Sequence, residues 1–176
     1  MSQEDFLVVV HPGSCCGSAD MNLGRYDAQA CRDGLIALLE RHSGPILVVD
    51  GELSDELEGD FGSYGRLGKA IRDAVERAAA SGYHAQRIYG PDDEDPHFTD
   101  ILPPVFADLA PVHGQRTFVL CGAWHDDELG GCVDAVEKIV TAAGLKVRQD
   151  EAFDINMGEP DKDLDEDDDP EDLPAP

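Results

Sequence analysis

The chain has 176 residues, 41% of them apolar, and a formal net charge of −25 from 38 acidic against 13 basic side chains. That length and apolar content suit one domain with a full core, and the charge repels nucleic-acid phosphates and acidic membrane surfaces. No apolar run approaches bilayer length, and Met1 to Phe6 lack the basic region and apolar core of a secretory signal, so a cytoplasmic protein is expected.

The charge is unevenly spread. Residues 159–176 hold ten acids and one lysine, a net −9, which leaves −16 on residues 1–158. The body is therefore acidic too, and a solvated acidic surface is the simplest reading of it. Lysine is confined to Lys69, Lys138, Lys146 and Lys162, a balance that suits a high-salt habitat. The cysteines are Cys15, Cys16, Cys31, Cys121 and Cys132. Their odd number and the absence of a CxxC pair argue against a disulfide scaffold and against a zinc ribbon.

In chain order, Phe6 to Val10 is a continuous apolar run that predicts a strand buried on both faces. A Gly- and Ser-rich loop from His11 to Gly24 follows and contains the vicinal pair Cys15-Cys16. It carries neither GK[ST] nor GxGxxG, so no phosphate-loop chemistry is read from it. Asp27 to His42 predicts a helix with Ala28, Cys31, Leu35, Leu38 and Leu39 on one face, stopped by Ser43-Gly44-Pro45. Ile46 to Val49 is a second buried strand and leads into Asp50-Gly51-Glu52. A second helix starts near Tyr64, with Leu67, Ile71, Ala74, Val75 and Ala78 on one face and Gly82 at its end. His84 to Tyr89 is a third strand. Phe98 to Leu109 predicts a short helix that starts near Pro103-Pro104.

Thr117 to Cys121 is the next strand. It breaks into a polar loop holding Gly122, His125, Asp126, Asp127 and Glu128, and the loop opens a helix at Cys132. Val133, Val136, Ile139, Val140 and Ala143 recur there at helical spacing. Lys146 to Asp150 predicts a fifth strand, with Ala152 to Ile155 as its continuation. This alternation implies one α/β domain over residues 4–156. It has three layers, a mostly parallel sheet of about five strands with helices on both faces, of Rossmann-like type. Residues 157–176 are expected to form a disordered acidic tail.

In such sheets ligands bind beyond the carboxyl ends of the strands. His11, Asp50, Glu52, His125 and Asp126 all follow predicted strands, so they share that edge. Cys132 stands at a helix start, where unpaired backbone N–H groups favour a thiolate. Asp126, Asp127, Glu128 and Asp134 oppose this by raising the thiol pKa. The alternative is a small residue packing helix on sheet.

Two phrases carry a resemblance. The strand-turn-helix series from Val119-Leu120-Cys121-Gly122 through Gly131-Cys132-Val133-Asp134, and the helix-strand series from Leu35 to Asp50, are similar to those of the isochorismatase-like cysteine hydrolases. The likeness lies mostly over Phe98 to Phe153. It implies that Cys132, first of the Cys-Val pair, is the nucleophile. The family's general base, an aspartate after the first strand, maps onto His11. The family's lysine falls in Arg87-Ile88-Tyr89-Gly90, which contains none. Some members hold a metal with Asp-x-His after the second strand, and the matching phrase here is Asp50-Gly51-Glu52.

Three readings follow. A domain of this kind with its catalytic positions lost would serve as a binding or assembly module. Alternatively, Cys132 attacks an amide or related C–N bond, with His11 as base and Asp50 on the same rim, without a cofactor. In the third, His125, Asp126 and Glu52 hold a divalent metal for hydrolysis. The expected partners are a small-molecule substrate or another protein, with no nucleic acid and no membrane. A homo-oligomer is compatible with the sequence.

Overall fold

The computed structural model describes residues 5–12, 28–50, 62–89, 98–125 and 131–156. Five strands and four helices alternate through them. These are β1 (Asp5–Val10), α1 (Ala28–Arg41), β2 (Ile46–Asp50), α2 (Gly62–Ala80), β3 (Ala85–Tyr89), α3 (Phe98–His113), β4 (Thr117–His125), α4 (Cys132–Ala142) and β5 (Lys146–Asn156). The strands form one sheet in the order β3-β2-β1-β4-β5, and every neighbouring pair is parallel. The expected α/β architecture is therefore present.

β1 is central because it is apolar on both faces. Phe6 to Val10 are all fully buried, and each such side chain contributes about 1.5–3 kcal/mol of transfer free energy. Leu7 and Val9 face one side with Ile46, Val48 and Cys121, and α1 and α2 cover that side with Leu35, Leu39, Leu67 and Ile71. Phe6, Val8 and Val10 face the other, against Leu102 and Phe106 of α3 and Val133, Val136 and Val140 of α4. Two helices lie on each face, as parallel crossovers require.

Two elements, α3 and β4, run longer than their sequence signals. α3 extends from Phe98 to His113 with Pro103, Pro104 and Pro111 inside it, so the prolines do not open the helix. Pro103 and Pro104 lie on the exposed side, while Leu102, Phe106 and Leu109 bury the opposite stripe. Packing of that stripe outweighs the backbone bonds that the prolines cannot make. β4 continues past Cys121 to His125. β5 is a single strand whose register against β4 shifts between Leu120 and Gly122 and again between Ala123 and His125. Such bulges let an irregular, acid-rich stretch stay paired.

The edge of the sheet where the strands begin is tied by specific polar contacts. His42, just past α1, donates from Nε2 to the Pro45 carbonyl at 3.0 Å. The same carbonyl accepts the Leu7 N–H at 3.0 Å. Arg77 of α2 donates to the Leu39 carbonyl at 2.6 Å and the His42 carbonyl at 3.4 Å, and so closes the last turn of α1. Arg148 of β5 pairs with Asp5 at 3.4 Å.

Candidate functional site

β2 and β3 lie to one side of β1, and β4 returns to its other side. The carboxyl ends of β1 and β4 therefore border the crevice where chain direction across the sheet reverses, the usual ligand position in this architecture. Each side of that crevice has a distinctive backbone. His11 follows β1 directly at φ 44, a left-handed conformation uncommon outside glycine. Its N–H donates to the Val49 carbonyl at 2.7 Å, which fixes the end of β1 against β2. Gly122 of β4 sits opposite Val10 at φ 125, and a Cβ there would lie 1.9 Å from the Val10 carbonyl oxygen. Only glycine allows β1 and β4 to approach so closely at this point.

Cys132 is the first residue of α4. β4 precedes it, so the thiol belongs to the same carboxyl edge as His11. The side chain is half-buried and packs against the core formed with α3 and α4. Burial pushes the thiol above its ordinary pKa, and the Asp134 carboxylate pushes it further. The two opposing influences legible in the sequence are thus resolved toward the protonated thiol. Desolvation, which sequence spacing does not reveal, is the larger cause.

Asp134 does more than add charge. Its Oδ2 accepts the Gly131 N–H at 2.6 Å, which satisfies a backbone donor at the start of α4. Its Oδ1 accepts from Gln149 Nε2 at 3.0 Å, and Gln149 also donates to Glu137 at 2.7 Å. The Gly-x-x-Asp spacing of a helix start carried this signal. The link to Gln149 spans two elements and has no local signature.

Of the remaining sequence candidates, Asp50 ends β2 and His125 ends β4, both at the carboxyl edge, and their backbone alone is described. Glu52 and Asp126 lie outside the described residues, as do Cys15, Cys16 and the 157–176 tail. Among the described residues no group of three or more His, Cys, Asp or Glu side chains is arranged to hold a metal ion, and no helix is long and apolar enough to cross a membrane. Cys121 and Cys132 are thiols, not disulfides.

No protein-family model, no curated protein and no solved structure matches this chain.

Proposed function

We propose that this chain is an isochorismatase-like domain that has lost catalysis and binds a ligand at the crevice between the ends of β1 and β4. The observation that carries this reading is the state of Cys132. Its half-burial and the neighbouring Asp134 carboxylate both raise the thiol pKa and so favour the protonated form. The start of α4 favours the thiolate by only about 0.3–1 kcal/mol. Two departures of sequence point the same way: His11 stands where the family's aspartate would, and no lysine occurs in Arg87 to Gly90. Recognition would then rest on backbone groups beside His11 and Gly122 and not on an ionised sulfur.

A second reading keeps the chemistry. His11 and Cys132 follow adjacent parallel strands, and an imidazole could take the thiol proton in a cysteine hydrolase of C–N bonds. Alkylation with iodoacetamide at about pH 7 separates the two, with the modified residue located by peptide mapping. The binding reading expects Cys132 to label more slowly in the native protein than in urea. Faster labelling in the native protein, together with turnover of an amide that Cys132→Ser abolishes, would establish the hydrolase.

A further inference from the structure

The opposite edge of the sheet holds a second cluster, unconnected with the crevice just described. His84 immediately precedes β3, and His113 is the last residue of α3. Their ring centres are 5.9 Å apart at 70°. Both rest on Phe6 at the start of β1, at 5.6 Å and 5.1 Å. They line an open cleft of about 360 Å³ with Gln86, Val105, Asp108, Leu109 and Val112. Val112 is 76% exposed, unlike every other large apolar side chain described.

His84 Nε2 is shielded from solvent and has no hydrogen-bond partner. Gln86 lies beside the same ring in the cleft. A histidine ring nitrogen without a hydrogen-bond partner can serve as a metal ligand. Burial also lowers the pKa of both rings, which keeps them in the neutral, ligating form.

We infer that His84 and His113 together form a site for a single divalent transition metal ion of the zinc, nickel or copper class, at the amino edge of the sheet. The ring spacing fits this role. Two imidazoles on one tetrahedral ion, with bonds of about 2.0–2.1 Å, place their ring centres somewhat above about 5 Å apart. The observed 5.9 Å is within about 1 Å of that spacing. Imidazole nitrogen selects these ions over magnesium and calcium. With two protein donors, water completes the coordination.

The test uses the full-length protein in excess magnesium, which occupies the carboxylates of the acidic surface. Nickel is then titrated while ¹H–¹⁵N spectra are recorded. Paramagnetic broadening is expected first at residues around His84, Gln86 and His113. His84→Gln and His113→Gln should each weaken nickel binding at least tenfold while the remaining spectrum keeps its native dispersion. Broadening centred elsewhere in the wild-type protein would overturn the assignment, whether or not the variants fold. So would unchanged affinity in both variants.

Discussion

Gly122 shows how much one backbone position decides. A methyl group there meets the Val10 carbonyl at 1.9 Å, and the φ of 125° is one that L side chains rarely adopt. Neither cause can relax without parting β1 from β4. Gly122→Ala is therefore expected to destabilise the fold by about 3 kcal/mol or more, read as a lower urea midpoint. A change within about 0.5 kcal/mol, the range of an ordinary surface substitution, would mean that the two strands do not meet this way. The glycine was visible in the sequence as the end of an apolar run. Its reason was not, because the partner backbone lies more than a hundred residues earlier in the chain.

At the scale of elements, the junction of α1 with β1 and β2 depends on His42. Its ring is buried and bonded to Pro45. Burial is the main cause of its lowered pKa, and Arg77 acts in the same direction, while the bonds to Pro45 and Gly44 and the charge of Asp5 act against it. Because the folded pKa lies below the ordinary 6.5, the unfolded chain takes up the proton first as pH falls. The stabilisation is present above 6.5 and declines as pH drops through and below that value. His42→Gln should lower stability at neutral pH by about 1–3 kcal/mol and remove that part of the acid-side slope. Parallel stability curves for the two proteins between about pH 7 and pH 5 would contradict this.

The elements themselves were largely legible, for a reason that also explains the exceptions. Short continuous apolar runs rich in β-branched residues, such as Phe6 to Val10 and Ile46 to Val49, read as strands buried on both faces, and helical spacing from Leu67 to Ala78 marks a covered stripe. Local signals misjudge a segment where tertiary packing overrides them. The prolines of α3 read as a helix start, yet the buried stripe of Leu102, Phe106 and Leu109 carries the helix through them. The continuation of β5 through Ala152 to Ile155 was legible, but its register shifts against β4 were not, because they depend on the partner strand. The candidate site was legible only as an edge. Parallel topology predicts that His11, Asp50, His125 and Cys132 share one, but the burial that sets the state of a thiol depends on neighbours from other elements.

For the molecule as a whole, net charge governs how stability responds to salt. The 38 acidic side chains outnumber the 13 basic ones by 25, and the described ion pairs are mostly exposed, such as Lys69 with Asp73. Self-repulsion should therefore weaken the folded state at low ionic strength. Raising sodium chloride from about 0.1 M to about 1 M shortens the screening length from about 10 Å to about 3 Å. The melting temperature is expected to rise over that range. A flat or falling response would show that the acidic groups are balanced within the fold.

The binding reading and the hydrolase reading divide on the protonation of one sulfur atom. Its direct measure is an NMR titration of the protein labelled with ¹³C at cysteine Cβ, with the Cys132 signal identified by its loss in Cys132→Ser. The account predicts that this thiol titrates above 9.0, and that Asp134→Asn moves the midpoint downward. A midpoint at or below about 7, in the range of activated cysteines, would contradict it.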